Sequence, residues 1–339
     1  MSAPAPSLYS PDAVAAAERL GLRKGRANLE EFAETLETLA RRDARVMAVT
    51  SDSRGSGKLG PFGKALPAQI VEVGIAEQNL VGIGAGLAAV GKKPFCVSPA
   101  CFLTARSLEQ IKNDLCYSDV PGVAVGISAG VSYGALGSTH HSLHDLAALR
   151  AVHNVTIVAP GDNYETREAI RAAAAAPHPF YVRFGKAAMY DLAPGDGDGF
   201  RVGKARRLRQ GDDVAFIGTG ETTIHCLLAA ERLAEQGVAC RVLSMHTVKP
   251  LDVEAVRSAG RDCRAVVTVE EHSVYGGLGE ACAAELMSSQ ARCRFQIVGI
   301  PDEDTVTGSQ ADIFRHYGIS MEGLSDTALR VLETASDAS

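Results

Sequence analysis

The sequence predicts an α/β protein with two consecutive domains, each built on a mostly parallel β-sheet. Short apolar runs rich in Val and Ile alternate with segments of helical periodicity, and this alternation is typical of parallel sheets covered by helices. The length of 339 residues suggests about two domains. Residues 194–199 read Pro-Gly-Asp-Gly-Asp-Gly, a composition that predicts an exposed domain boundary near the middle of the chain.

The first domain is expected at residues 23–192, after an N-terminal extension at residues 1–22 that carries a short helix. Leu29, Phe32, Leu36 and Leu39 recur at helical spacing and predict a helix over 29–41. Apolar runs predict strands at 45–50, 70–73, 93–97, 123–127, 155–159 and 180–183, with helices at 102–115 and 164–176. Ligands of open α/β sheets bind beyond the carboxyl ends of strands, so the loop 51–57 is a candidate binding loop.

The second domain is expected to be smaller, at residues 204–335, after a linker at residues 193–203. Its predicted strands are 214–217, 238–244, 265–269 and 295–300, and its predicted helices are 222–236 and 277–289. The same alternation of strands and helices predicts a second, mostly parallel sheet.

Composition narrows the classes of function. The chain is 46% hydrophobic and 22% charged, as is usual for globular proteins. Its net charge of −6 argues against nucleic acid as the main partner, whereas small phosphorylated substrates need only a few local Arg residues. None of the eight cysteines has CxxC spacing, which argues against a zinc site. With no predicted signal peptide and no predicted membrane span, we expect reduced thiols in the cytoplasm.

Glu77 is the most informative residue. It precedes the small-residue run 81–87, which predicts a buried helix because small side chains let a neighbouring backbone approach closely. Burial disfavours the charged form of a carboxylate that has no partner, and a protonated carboxyl group can donate a hydrogen bond. For this residue alone, a helix N-cap or a surface position is the alternative interpretation.

Separated motifs in family order resemble the transketolases. They are residues 73–87, 101–111, 137–147, 217–220, 249–252 and 269–279. The similarity covers about residues 24–330. It implies a pyrimidine-binding domain of the thiamine-diphosphate fold, with helices on both faces of its sheet, followed by a transketolase C-terminal domain.

The motifs of this chain match only the pyrimidine-binding and C-terminal domains, and not the additional N-terminal diphosphate-binding domain of a complete transketolase. That domain carries a Gly-Asp-Gly motif and, about 25–30 residues later, an Asn, which together hold a divalent metal. Residues 195–197 spell Gly-Asp-Gly but lie in the linker, and no Asn occurs between 198 and 230. The resemblance therefore implies the smaller subunit of a split transketolase. We expect a heterotetramer of two plus two subunits, Mg²⁺ held mainly by the partner subunit, and no metal ligand in this chain.

The resemblance also implies residues that bind and activate thiamine diphosphate. Glu77 corresponds to the glutamate that hydrogen-bonds the aminopyrimidine ring, and Phe102 to the aromatic residue that packs on that ring. Asp52 corresponds to a position near the thiazolium ring. Arg106 lies four residues after Phe102, on the same helical face, where an ion pair with Glu109 or Asp114 is the alternative interpretation.

Substrate-binding roles follow from the same comparison. His140 corresponds to the histidine that contacts sugar hydroxyls and assists proton transfer, a task that suits a group titrating near neutral pH. His141 occupies the position of a family Gln. The positions implied for a phosphorylated or otherwise anionic substrate are Ser56, Arg54, Arg183 and Arg26, of which Arg183 corresponds to the arginine that grips the donor phosphate.

Two departures from the family pattern leave the substrate open. Leu136 stands where the family has an Asp that contacts a sugar hydroxyl, and Ser128 stands where it has a His. These changes favour a donor or acceptor other than the common pentose phosphates, with apulose 4-phosphate and sulfonated sugars as candidates.

The expected activity is transfer of a two-carbon ketol unit from a ketose to an aldose. The β subunit of a 2-oxo acid dehydrogenase shares the two-domain layout and is the alternative. A non-catalytic paralogue is the third interpretation, and the presence of Glu77, Phe102 and His140 argues against it.

Overall fold

The computed structural model describes residues 7–192 and 199–333. The strands are β1 (Lys24–Ala27), β2 (Val46–Thr50), β3 (Ile70–Glu72), β4 (Lys93–Pro99), β5 (Val123–Ile127), β6 (Thr156–Val158), β7 (Phe180–Phe184), β8 (Ala188–Tyr190), β9 (Arg206–Arg209), β10 (Val214–Gly218), β11 (Cys240–Ser244), β12 (Thr247–Lys249), β13 (Ala265–Ser273) and β14 (Arg294–Ile300).

The helices alternate with these strands. They are α1 (Pro11–Arg19), α2 (Asn28–Arg42), α3 (Gly60–Ala65), α4 (Glu77–Ala89), α5 (Ala100–Arg106), α6 (Leu108–Gln110), α7 (Asp145–Arg150), α8 (Asn163–Ala175), α9 (Thr223–Ala234), α10 (Val253–Asp262), α11 (Leu278–Ser288), α12 (Gln310–His316) and α13 (Met321–Glu333). A π-helical segment, Ile111–Tyr117, continues α6. None of the helices in the described ranges is long and apolar enough to cross a membrane.

The first domain is built around a seven-stranded sheet with the strand order β12-β6-β7-β5-β4-β2-β3. Its strands run parallel except β12. Every residue of β2, β5 and β7 is buried, as expected for strands covered on both faces. One face packs on α2 and α8, and the other packs on α4 and α7. The predicted α/β class and the mostly parallel sheet are confirmed.

The second half of the chain supplies the edge strand of this first sheet. Thr247 of β12 pairs antiparallel with Val158 of β6, and Lys249 Nζ also contacts the Val152 carbonyl oxygen. The apolar pattern predicted no strand here. The two halves of the chain therefore share one sheet, although the predicted linker separates them in sequence. Most of that linker, residues 193–198, lies outside the described residues.

A five-stranded sheet forms the second domain, in the order β14-β13-β10-β11-β9. The strands are parallel except β9, which pairs antiparallel with β11. One face packs on α9 and α13, and the other packs on α10 and α11. Gly279 allows α11 to lie close to β14, because an added Cβ would come within 2.5 Å of Ile297.

The N-terminal segment packs on the second domain although it precedes the first in sequence. Ala13, Ala16 and Ala17 of α1 are buried in the same core as α9 and α13. Tyr9 has its ring centroid 4.9 Å from that of Tyr190 and 5.4 Å from that of His225. Residues expected to form an extension thus contribute to the core of the second domain.

The free energy of unfolding is expected to depend on pH through His225, which packs against Tyr9. Both ring nitrogens are buried without a hydrogen-bond partner, and burial lowers its pKa to about 4. An exposed His titrates near 6.5, so the unfolded chain binds more protons between these pH values. The contribution of neutral His225 to stability is therefore complete above pH 6.5 and falls as the pH drops towards 4.

We expect His225→Phe to reduce this acid sensitivity. Between pH 7 and 4.5 the wild-type free energy of unfolding should fall by about 2–3 kcal/mol more than that of the variant. Urea unfolding at both pH values measures the difference, and comparison across pH cancels any packing change that the ring itself introduces. His153→Phe, at an exposed position, is the control. Equal losses in wild type and His225→Phe would contradict the prediction.

Candidate active site

Glu77 is the first residue of α4, which begins after β3 and the loop 73–76. Its side chain is buried, at 4% exposure. The small residues behind it let α4 press against the sheet, because an added Cβ on Gly84 would come within 2.1 Å of Cys96 Sγ. The positive end of the helix dipole favours a negative group at this position. The predicted buried helix is present, with the carboxyl group at its N-terminus.

Arg106 provides Glu77 with a partner. Its Nη1 atom donates to Glu77 Oε1 at 3.0 Å, and its guanidinium carbon lies 4.2 Å from the centroid of the Phe102 ring. The alternative ion pairs with Glu109 or Asp114 are absent among the described residues. Glu77 therefore has a hydrogen-bonded cationic partner, and it does not meet the expectation of a buried carboxyl group that lacks a partner.

A row of rings extends from Phe102 across the carboxyl edge of the first sheet. The His140 ring lies edge-on to Phe102 at 5.2 Å, and the Tyr133 ring lies edge-on to His140 at 5.7 Å. Lys186 Nζ lies 4.2 Å from the Tyr133 ring centroid at the far end. We call Phe102, His140, Tyr133 and Lys186 the ring row. It has a carboxylate near one end and an ammonium group at the other.

The loop between β5 and α7 orients its histidines in different directions. His140 Nδ1 lies 2.9 Å from Thr139 Oγ1, and His144 Nε2 lies 3.3 Å from Thr104 Oγ1. His141 is buried at 4% exposure, with Nε2 3.3 Å from the Gly134 carbonyl oxygen, and burial lowers its pKa. The ring is enclosed within its own loop, and its expected contact with substrate stays a prediction.

The loop after β2 contains three of the residues that were predicted to contact cofactor or substrate. Asp52 has a φ of 54°, and its backbone N–H donates to Glu72 Oε1 at 2.7 Å. Ser56 Oγ donates to the Ser53 carbonyl oxygen at 3.1 Å. Arg54 lies against α3, where a Cβ added to Gly63 would be 3.2 Å from its Nη1. These contacts define the shape of the loop, and the roles of Asp52, Arg54 and Ser56 towards cofactor and substrate stay predictions.

Arg183 does not occupy an open phosphate site. It is 6% exposed. Its Nη1 donates to Asp145 Oδ1 at 2.7 Å and its Nη2 donates to the Glu271 carbonyl oxygen at 2.9 Å. Both ends of the guanidinium group are thus used in a buried contact between the two domains, and the expected grip on a donor phosphate stays a prediction.

Arg26 is also engaged in ion pairs. It contacts Glu31, with Nη2 2.6 Å from Oε2, and Glu34 through Nη1. These two carboxylates compete with any substrate anion for the guanidinium group. A phosphate contact for Arg26 stays a prediction without geometric support in this structure.

The two departures from the family pattern differ in their surroundings. Leu136 is 55% exposed. Ser128 is completely buried, its Oγ has no hydrogen-bond partner, and its φ is 53°. A left-handed backbone at the end of β5 is strained for a residue with a side chain, and such strain is often found near functional sites.

Two buried glutamates of the second domain, Glu221 and Glu271, contact the first domain. The sequence patterns did not predict these contacts. Glu221 accepts from the Gly185 N–H at 3.0 Å and from Asn28 Nδ2 at 3.1 Å. Burial and, to a smaller extent, the nearby Glu271 carboxyl group raise the pKa of Glu221 to about 8. Burial also raises the pKa of Glu271 to about 7. A cavity of about 20 Å³ between them has room for one water molecule.

Lys186 is the second functional candidate that the sequence patterns did not reveal. The available signal was its position two residues after the end of β7, at the sheet edge where ligands bind. Among residues 7–192 and 199–333, no group of three or more His, Cys, Asp or Glu side chains is arranged to hold a metal ion.

The fold and the site define the class of protein. Residues 25–190 match the transketolase pyrimidine-binding domain, and residues 203–324 match the transketolase C-terminal domain. The chain belongs to the transketolase family.

Its relatives include subunits of split transketolases. It is 49% identical to one subunit of the apulose-4-phosphate transketolase of Phocaeicola vulgatus, over 90% of this chain and 97% of that protein. It is 33% identical to a 6-deoxy-6-sulfo-D-fructose transketolase subunit from a Clostridium species, over 90% of this chain and 94% of that protein. A solved structure described as a split gene transketolase, inactive beta4 tetramer, superposes with a TM-score of 0.81 at 33% identity, covering 91% of this chain and 99% of that one. These relatives support the transketolase interpretation over the 2-oxo acid dehydrogenase alternative.

Proposed function

We propose that this chain is the small subunit of a split, thiamine-diphosphate-dependent transketolase of the cytoplasm. It transfers a two-carbon ketol unit from an anionic ketose to an aldose. The observation that carries this proposal is the buried Glu77 carboxylate at the N-terminus of α4, joined through Arg106 to the Phe102 ring. The apulose 4-phosphate in the name of the 49% identical relative supports a phosphorylated ketose as the donor.

The side chains fit the aminopyrimidine of thiamine diphosphate. The Arg106 guanidinium, a planar group with N–H donors, lies over Phe102 and hydrogen-bonds Glu77. A bound aminopyrimidine would make these same two contacts. Because the Arg106 side chain is 49% exposed, it can move aside into solvent. When bound, thiamine diphosphate supplies the nucleophilic carbon that takes up the two-carbon unit.

The residues of this chain then have separate tasks. Glu77 holds a proton against a pyrimidine ring nitrogen. Phe102 supports the ring, and stacking contributes roughly 1 kcal/mol beyond burial. His140 Nδ1 faces Thr139 Oγ1, which leaves Nε2 to exchange a proton with a sugar hydroxyl.

The cofactor's diphosphate and its Mg²⁺ are assigned to a separate partner subunit. The structure described as an inactive beta4 tetramer supports a requirement for another chain. We propose two copies of each subunit, with the copies of this chain meeting about a two-fold axis through α4 and α5. Ile75, Val90 and Tyr117 are each more than 70% exposed beside these helices, as expected for a surface that another chain covers.

We expect the isolated chain not to bind thiamine diphosphate with micromolar affinity, even with Mg²⁺ present, because it supplies only ring contacts. The mixture with a diphosphate-binding subunit should bind it. Titration calorimetry on the chain, the partner and the mixture measures this. A mixture containing Phe102→Ala should bind more weakly than the wild-type mixture. Micromolar, magnesium-dependent binding by the isolated chain would refute the split-subunit proposal.

A further inference from the structure

We propose that Glu271 of the second domain is a positioning residue for ketol transfer: it holds the start of the loop 130–144 and thereby sets the position of His140. This inference rests on the proposed function. It gives the second domain a part in the reaction, although Glu77, Phe102 and His140 all lie in the first domain.

The first argument is the hydrogen bond that Glu271 forms across the domain boundary. Its Oε1 accepts from the backbone N–H of Val131 at 2.8 Å, and the residue is buried. Gln310 Nε2, also of the second domain, donates to the same oxygen at 2.9 Å. Gly130 has a φ of 61°, and a Cβ added there would collide with the Glu271 carboxyl group. The carboxyl group therefore lies directly against the backbone where the loop begins.

The second argument is that the strand carrying Glu271, β13, also holds the end of this loop. The Ser273 backbone N–H donates to the Leu143 carbonyl oxygen at 3.1 Å. The Ala147 backbone N–H donates to His272 Nε2 at 3.3 Å. Burial lowers the pKa of His272 to about 4, so its ring is neutral at pH 7 and can accept this bond. Three consecutive residues of β13, 271–273, thus contact both ends of the loop that carries His140.

The loop transmits this restraint to His140 through its own backbone. The Ser142 N–H donates to the Gly130 carbonyl oxygen at 2.8 Å, which joins the start of the loop to its end. The His140 N–H donates to the Gly137 carbonyl oxygen at 2.9 Å. Because His140 lies two residues before Ser142, a displacement of Gly130 would displace the histidine as well.

The middle of the loop also packs on the second domain. A Cβ added to Gly134 would collide with the Gly308 carbonyl oxygen, and one added to Gly137 would lie 3.2 Å from Thr307 Cγ2. The loop therefore rests on the second domain at its start, its middle and its end. Its shape, and with it the direction of the His140 ring, depends on the contact between the domains.

The test compares Glu271→Ala with Glu271→Gln in the reconstituted complex. Glu271→Ala removes the acceptor, and we expect kcat for ketol transfer to fall by roughly tenfold, the range of one buried hydrogen bond. Gln keeps an oxygen that can accept from Val131 and Gln310, so kcat should stay within about threefold of wild type. Asp213→Ala is the matched control and should behave as wild type, because Asp213 accepts the Ala239 N–H at 2.9 Å at the opposite end of the second sheet.

Dependence on His140 distinguishes positioning from a general loss of stability. In a His140→Ala background, Glu271→Ala should lower kcat by less than about twofold further, because effects of residues that act as a unit are not additive. A variant that merely destabilised the fold would lower kcat by the same factor in both backgrounds. Equal losses in the two backgrounds would therefore overturn the assignment.

Hydrogen exchange of the full chain tests the contact without cofactor or substrate. Exchange in residues 130–144 should be roughly tenfold faster in Glu271→Ala than in wild type or Glu271→Gln, with β2 and β10 unchanged. Gly130→Ala, which places a Cβ against the carboxyl group, should give the same local increase. Gly91→Ala is its control, because Gly91 has a φ of 84° and an added Cβ would meet no atom within 4 Å.

These measurements separate the positioning role from the proposed function. If the wild-type complex transfers no ketol unit from any donor, the proposed function fails, and hydrogen exchange still decides whether Glu271 holds the loop. Unchanged exchange of residues 130–144 in Glu271→Ala would overturn the assignment. A loss of kcat in Glu271→Gln as large as that in Glu271→Ala would also overturn it, because Gln retains the acceptor.

Discussion

Glu77→Gln is expected to lower ketol transfer by about 10²–10⁴-fold, the range attributed to a positioned acid–base group. An amide cannot hold and exchange a proton as a carboxyl group does. Its oxygen can still accept the hydrogen bond that Arg106 donates at 3.0 Å, so the fold and the assembly should be preserved. Turnover by the reconstituted complex measures the loss, and light scattering checks the assembly.

The matched control for this prediction is Glu109→Gln. Glu109 lies in α6, three residues after Arg106, and is exposed. Its removal should leave turnover within about twofold of wild type, because surface substitutions away from a site usually have small effects. Turnover near wild type for Glu77→Gln would show that another carboxylate activates the cofactor.

Arg183→Met is expected to destabilise the chain by about 3–5 kcal/mol, because it leaves the buried Asp145 carboxylate without its cation. Asp145 is completely buried, and its Oδ1 lies 2.7 Å from Arg183 Nη1. Asp145→Asn, which removes the other charge of the pair, should also lower the free energy of unfolding. Chemical denaturation of each variant measures the free energy of unfolding.

An exposed pair provides the control. Arg41→Met removes a cation 2.7 Å from Glu37, and the Arg41 side chain is 55% exposed. It should change stability by less than about 1 kcal/mol, because solvent screens such pairs. If Arg183→Met instead kept full stability and raised KM only for phosphorylated donors, Arg183 would be the phosphate residue that the family resemblance implied.

The tertiary structure changed the interpretation of charged residues more than that of apolar ones. Apolar periodicity predicted β5 at 123–127 and placed β2 and β7 within one residue of their observed bounds, because burial on both faces requires a continuous apolar run. The pattern did not predict β12, which has only three residues and pairs with β6, a strand far away in the sequence. Pairing over such a separation leaves no local signal in the sequence.

The sequence by itself determined the α/β class, the family, and the local motifs that carry Glu77, Phe102 and His140. Only the tertiary structure decided which charges meet: Arg106 with Glu77, Arg183 with Asp145, and Lys186 with the Tyr133 ring. Local patterns are encoded by neighbours in the chain, whereas the partner and solvent exposure of a charged side chain depend on residues far away in sequence. Since desolvation and pairing determine whether such a side chain can bind a substrate anion, the role of each cation follows from the fold.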